Sequence, residues 1–423
     1  MSAIQPSLKR ILLFAEAVTL AHVARPICFA RGLDRSRYRV AIAASADAAP
    51  HVAAAGVEHV MLESVSPRAF LSALARGKPL YDAATLRRYV ANDREVIRQF
   101  APDMVVGDFR LSLSVSARLA QVPYVSLCSA YWSPFYCVDR WPVPSLPLTR
   151  VLPLGIAQAV FSAVRPLAFA AHCGPLNDVR RSYGLPELPR DLRSIYTDAD
   201  RVAYTDLPEL FPTAPLPITH RFIGPALWEP AVPLPEWWND VPPDRPSIYV
   251  NLGSSGDAAL LPRIVGALAG LPVSLMVASA GVPPGWSCPE GVFAARYLPG
   301  IRAAKRARLV ICNGGNLAAY QALAGGALVL GVVGNLDQFL NMQGFERAGA
   351  GRMQRADRLS ERALRRTVES LLGSGPMGRA AKSLGERCST EQFLAAAVAL
   401  VEDQLGRGSE PLSAGRWKGK ERE

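Results

Sequence analysis

The sequence predicts an α/β protein built as two parallel-sheet domains facing a central cleft. Three observations predict it. Short apolar runs alternate with helix-patterned stretches through residues 1–206, and the same alternation restarts at residue 247. Between them, residues 207–246 hold eleven of the chain's 35 prolines. Strands spaced by helices make βαβ units and a parallel sheet. Proline fixes φ and lacks a backbone donor, so no central strand or long helix is expected in the middle stretch. It reads as a linker between two Rossmann-like domains, and 423 residues suit two domains of similar size.

In the first half, residues 10–14, 39–44, 57–62, 104–107 and 123–127 are strand candidates, followed by 201–204. The fourth comes after the turn Ala101-Pro102-Asp103, and the fifth after a helical run over 113–120. In the second half, 247–252, 273–278, 309–312 and 327–333 read as strands and 258–268 as a helix. The second domain then covers 247–405. Residues 406–423 are polar and charged and read as a disordered tail.

Half of the residues are hydrophobic and 20% are charged, which excludes a wholly disordered chain. The net charge is +11. The basic residues are scattered, in pairs such as Arg87-Arg88, Arg180-Arg181 and Arg365-Arg366, so a solvated basic surface is expected and not a nucleic-acid site. Weak contact with an anionic membrane surface is the remaining expectation from charge. Seven cysteines without a Cys-x-x-Cys pair argue against a disulfide framework or a zinc site and point to a reducing cytoplasm. Lys9-Arg10 before an apolar run resembles a signal peptide, but Glu16 interrupts it and a first strand and turn account for it better. The apolar stretch 151–171 carries Gln158, Ser162 and Arg165 and is broken by Pro153, Gly155 and Pro166. A buried or interfacial helix beside a pocket is expected there in preference to a span.

Chemistry is concentrated at strand ends. Leu309–Cys312 runs into Asn313-Gly314-Gly315-Asn316 and then a helical stretch. Such a turn aims backbone N–H groups at a helix N-terminus, where a diphosphate fits, although an ordinary strand-to-helix turn has the same pattern. A second glycine turn, Asn251-Leu252-Gly253-Ser254-Ser255-Gly256, follows the first strand of the same half and could face the same phosphates. Asp337 and Gln338 follow the next strand and suit sugar hydroxyls, or else a helix cap. In the first half, His22 stands near a helix start and Asp108 follows the fourth strand. Together they suit a general base and its orienter, although a lone histidine more often packs or caps. His51, His59, His172 and His220 have no metal-like spacing, and Asp198-Ala199-Asp200 reads as a solvated turn.

These residues resemble the two-domain GT-B glycosyltransferases, in the family of UDP-glucuronosyltransferases and bacterial natural-product glycosyltransferases. The resemblance covers nearly the whole chain and is sharpest from Tyr297-Leu298-Pro299 through Asn313-Gly314-Gly315 and Asp337-Gln338 to Gly349-Ala350-Gly351. Ala21-His22-Val23-Ala24-Arg25-Pro26 is similar to the family's Gly-His-x-x-Pro turn, which carries the catalytic base, and Asp108 falls where relatives place its aspartate partner. The resemblance implies a donor site of Gly253, Ser254, Tyr297, Asn313, Gly314, Gly315, Asn316, Gln321, Asp337 and Gln338. The chain departs from the pattern in its phosphate loop. Asn313 replaces a histidine, Leu317 a small residue, Ala318 a hydroxyl residue, and Gln321 a ribose-binding glutamate.

The function expected is inverting, metal-independent transfer of a sugar from a nucleoside diphosphate, UDP or dTDP, to a hydroxyl of a small apolar acceptor. No separate cofactor is implied. Tyr131, Trp132, Phe135, Tyr136 and Trp141 suggest the acceptor wall, unless they pack in the core. The alternatives are a non-catalytic accessory or binding protein with a degraded phosphate loop, and a nucleotide-sugar epimerase, which would need no acceptor pocket.

Overall fold

The computed structural model describes residues 8–138, 140–280 and 286–406. Their strands form two sheets, parallel throughout. The first contains β1 (Lys9–Ala15), β2 (Tyr38–Ala44), β3 (Glu58–Met61), β4 (Met104–Asp108), β5 (Tyr124–Cys128), β6 (Arg201–Tyr204) and β7 (His220–Phe222). Their spatial order is β3-β2-β1-β4-β5-β6-β7. The second contains β8 (Ser247–Asn251), β9 (Ser274–Ala278), β10 (Val292–Ala295), β11 (Leu309–Cys312), β12 (Leu328–Val333) and β13 (Gly351–Arg355). Its order is β10-β9-β8-β11-β12-β13.

Both faces of the first sheet are covered, which is why its central strands read as unbroken apolar runs. Ile11 and Leu13 of β1 pack with Val23 and Ile27 of helix Ala21–Arg31. Leu12 and Phe14 point to the other face and pack with Val96, Ile97 and Phe100 of helix Ala83–Phe100. Each sheet reverses its strand order once, between β1 and β4 and between β8 and β11. Crevices beyond the carboxyl ends of strands at such reversals are where ligands bind. The register sets Ala15 beside Asp108 in one sheet and Asn251 beside Cys312 in the other. The turns that carry His22, Asp108, Gly253 and Asn313 thus leave from the two reversal points.

Two segments lie elsewhere than the sequence reading puts them. β7 falls inside the proline-rich stretch and pairs with β6, so the first sheet extends to residue 222 and not 206. Three proline-free residues suffice for an edge strand. The last helix, Thr390–Gly406, belongs by sequence to the second half but packs on the first. Its Phe393, Ala397, Leu400 and Val401 join Ile11, Leu13 and Val40, and Arg37 pairs with Glu402 at 2.9 Å. Residues 407–423 of the expected tail lie outside the described residues. The 151–171 stretch becomes the end of one short helix, Pro147–Val151, and the start of a long one, Leu154–Ser182. By length and hydropathy the long helix could cross a membrane, yet Phe169 and Cys173 anchor it in the first domain's core while Ile156 and Leu167 face outward.

Candidate active site

Helix Ala21–Arg31 starts at Leu20 without a side-chain cap, which places His22 in its open first turn. His22 Nδ1 lies 2.7 Å from Oδ1 of the fully buried Asp108. A proton on Nδ1 donated to that carboxylate leaves Nε2 as the accepting nitrogen. The imidazole is 18% exposed, so a ligand can reach it.

Sequence reading missed two further residues of this group. Phe109 adopts φ 58°, and its ring stacks on His22 at 4.7 Å and 16°. A left-handed backbone is costly for a bulky side chain, by ~1–3 kcal/mol, and such strain gathers at functional sites. Arg25, one turn beyond His22, is buried with Nη1 3.4 Å from Asp108 Oδ1 and Nη2 donating to Ser129 Oγ at 2.8 Å. Burial disfavours its charge, but Asp108 and neighbouring acids more than offset this and raise its pKa. Its position three residues after His22, on a helix otherwise apolar around it, was the available signal.

Across the cleft, Gly314 has φ +75°, and a Cβ there would lie 2.6 Å from Val333 Cγ1, so only glycine fits. Asn313 uses its side-chain amide for contacts within the chain. Its Oδ1 accepts from Gly315 N at 2.9 Å and its Nδ2 donates to Ser255 Oγ at 2.9 Å, bracing the two glycine turns together. Helix Asn316–Ala324 begins at Gly315 with no side-chain cap, so its first N–H groups are open to an anion. Gly253, at φ +64°, donates to Asn251 Oδ1, and Ser254 Oγ accepts from Leu20 N at 3.2 Å. The turn at Gly253 therefore touches the turn that carries His22. Tyr297 is 52% exposed beneath Arg296 and offers a ring face at the rim.

Four more of the expected donor residues make hydrogen bonds within the chain. Gln321 is buried, and its Nε2 donates to the Trp228 carbonyl at 2.6 Å, so it braces the linker. Gln338 closes a capping box with Asn335, so the N-cap is Asn335 and not the aspartate that the helix-cap alternative pointed to. Asn316 Nδ2 donates to Oδ1 of the buried Asp206 at 2.8 Å, joining the two domains. Asp337 also bridges them, accepting from Trp132 Nε1 at 2.8 Å.

Burial pushes the Asp206 carboxyl up to about 6. Because its native value lies above the unfolded one, the stability it supports falls as pH rises from about 4 to about 6. Burial holds His220 down at about 4, and its contribution changes in the opposite sense over that window. Asp206→Asn should leave a chain whose urea stability rises with pH across the window relative to wild type, by on the order of 3 kcal/mol. Parallel pH profiles for the two proteins would remove Asp206 from this account.

Of the five aromatic residues expected at the acceptor wall, Trp132 reaches across to Asp337 and Trp141 packs beside it. Tyr131 and Tyr136 are buried against Phe211, with ring centroids 5.1 and 5.8 Å away, and are core. Phe135 sets its ring against the edge of His220 at 5.2 Å. Trp132 and Trp141 belong to an aromatic row that starts beside His22. From Phe109 it runs to Tyr196 at 5.4 Å, Trp132 at 5.2 Å, Trp141 at 6.4 Å and Phe169 at 5.2 Å. It links His22 to the long apolar helix.

No family model matches the chain. It is similar to a PGL/p-HBAD biosynthesis glycosyltransferase of Mycobacterium tuberculosis, with 45% identity over 378 residues, 89% of this chain and 88% of that one. It is also similar to a PGL/p-HBAD biosynthesis rhamnosyltransferase of Mycobacterium bovis, with 44% identity over 378 residues, 89% of this chain and 84% of that one. A relative from the same organism named as inactive is 46% identical over 260 residues, 62% of this chain and 71% of that one. Among solved structures, the glycotransferase of kitacinnamycin superimposes with a TM-score of 0.68 at 19% identity, over 95% of this chain and all of that one. The two sheets, the cleft between them and identity across nine-tenths of the chain lead to one conclusion: this is a GT-B glycosyltransferase, and it belongs to the family of PGL/p-HBAD biosynthesis glycosyltransferases.

Proposed function

We propose that the chain transfers a sugar from a nucleoside diphosphate, UDP or dTDP, to a hydroxyl of an apolar acceptor, with inversion and without a metal. The observation that carries this is the His22–Asp108 pair, 2.7 Å apart, in a turn that touches the donor turn. His22 Nε2 takes the acceptor proton as the oxygen bonds to the anomeric carbon and the bond to the diphosphate breaks. Asp108 steadies the imidazolium, and the open N-terminus of helix Asn316–Ala324 receives the charge of the departing diphosphate. One base and one direct displacement invert the anomeric carbon. The row Phe109–Tyr196–Trp132 forms the acceptor wall. The sugar is proposed to be a deoxyhexose such as rhamnose, and the acceptor an intermediate of the PGL/p-HBAD type, by similarity to the relatives. The seven cysteines are all free, which suits the cytoplasm.

Product configuration tests the reading: a product of the same anomeric configuration as the donor would overturn the single displacement. A thermal-shift panel of UDP, dTDP, GDP and their sugars identifies the donor, since a ligand at 100-fold its Kd adds about 2.7 kcal/mol. Ala318→Thr restores a hydroxyl beside the open helix end and should tighten nucleoside diphosphate binding about tenfold, since a hydrogen bond to a charged group contributes about 1.5–3 kcal/mol. Asn313→Ala should weaken it by releasing the brace between the glycine turns. If calorimetry detects no nucleotide or nucleotide-sugar binding by wild type or by Ala318→Thr, the non-catalytic reading replaces this one.

A further inference from the structure

The long helix, with the last residue of the short helix before it, leaves an apolar face uncovered. Val151, Ile156, Val160, Val164 and Leu167 are 81%, 53%, 38%, 46% and 75% exposed. Spacings of four, four and three from Ile156 onward set them along one side of the helix. A helix on the surface of a soluble domain ordinarily turns charge outward. Here no Asp or Glu occurs from Trp141 to Asn177. Arg165 does not break the face: its guanidinium lies over the Trp141 and Phe169 rings at 5.0 and 5.3 Å, with the Asp191–Arg193 pair close by.

Cations rim the start of this face. Arg150 is exposed at the end of the preceding short helix. Exposed Arg358 reaches the Thr149 and Leu152 carbonyls at 2.8 Å each. The segment 64–81, which also lacks Asp and Glu, comes up beside it, since a Cβ on Gly77 would lie 3.3 Å from Leu146 Cδ2. Arg76 and Lys78 flank that glycine, and both are exposed. An uncharged apolar stripe with a basic border matches the interface of a bilayer that carries anionic lipid. The opposite face of the helix is fixed in the protein by Phe161, Phe169 and Cys173, so the helix would lie along the surface and not cross it.

We infer that this face docks the enzyme on an anionic membrane surface and brings a bilayer-held acceptor to the cleft at His22. The delivery rests on the function proposed above; the docking stands on the surface alone. The two are separable by experiment. The full chain is floated with vesicles of phosphatidylcholine, with and without phosphatidylglycerol, and turnover is measured on a short water-soluble acceptor and on the same acceptor carrying an alkyl chain in the vesicles.

Wild type should bind the vesicles that contain phosphatidylglycerol and be released by high salt. Val160→Glu with Leu167→Glu should weaken that binding at least about tenfold. The loop variant Arg76→Glu with Lys78→Glu, which leaves the helix intact, should weaken it about fivefold or more per cation reversed. Both should raise KM for the vesicle-held acceptor and leave turnover on the soluble one unchanged. Equal binding by wild type and either variant would overturn the docking. So would equal binding to both vesicle types, retention in membranes after a high-salt wash, or a dimer that buries the face without vesicle binding. Vesicle binding with the expected losses, but no turnover on either acceptor, would sustain the docking and count against the proposed function.

Discussion

His22→Ala should lower the transfer rate by ~10²–10⁴-fold while donor affinity holds. That is the usual cost of removing a positioned general base. Donor affinity holds because the diphosphate end of the site is built from other elements: the open start of helix Asn316–Ala324 and the braced turns at Gly253 and Gly314. Asp108→Asn should also slow transfer, because the amide keeps the shape but cannot support the imidazolium. The two changes act on one unit, so the double variant should be about as slow as His22→Ala alone. A merely structural histidine would behave differently. Its loss would lower thermal stability, and its effect would add to that of Asp108→Asn. His22→Ala with near-wild-type turnover on a hydroxyl acceptor would remove it from the mechanism.

The legible parts of this molecule were those that local pattern determines. Strands covered on both faces, such as β4, β12 and β1 from Ile11 onward, show as apolar runs because these residues are buried. The strands that sequence reading missed are edges. β7 is three half-buried residues among prolines, β10 is half-buried along its length, and β13 reads Gly-Arg-Met-Gln-Arg. Edge strands lack the two-sided burial that produces the signal. The placement of His22 beside Asp108 was readable because a turn at the end of a central strand already limits what stands over the cleft. Arg25 and Phe109 were not, because their roles depend on contacts between separate segments and on a left-handed φ. The same limit explains the corrections at Gln321, Asn316 and Tyr131. Each is polar or aromatic in the segment that follows a strand, and whether it meets a ligand or the other domain is decided by tertiary packing.

The other large effect is expected one residue beyond Phe109. Arg110→Met should destabilise the first domain by about 3–5 kcal/mol, the usual cost of breaking a buried ion pair from one side. The Arg110 side chain is wholly buried. Its Nη1 donates to Glu16 Oε2 at 2.6 Å and to the Glu63 carbonyl at 2.7 Å, and its Nε donates to Asp93 Oδ1 at 2.9 Å. The guanidinium carbon lies 3.6 Å from the centroid of the Tyr89 ring. Without the cation, two buried carboxylates face each other with no compensating charge. Burial already pushes Glu16 upward despite Arg110, so the variant would fold with an extra proton and lose further stability as pH rises. Lysine at 110 supplies charge but not the planar fork, so Arg110→Lys should fall between wild type and Arg110→Met. Neutralising all three groups, with Glu16→Gln and Asp93→Asn added to Arg110→Met, should recover part of the loss. The cluster also holds the chain where Phe109 is bent to φ 58° against His22. Arg110→Met should therefore lower kcat even at temperatures where the fold survives, with donor affinity unchanged. Urea unfolding monitored in the first domain decides the matter: a midpoint for Arg110→Met equal to wild type would show that Glu16 and Asp93 do not depend on this cation.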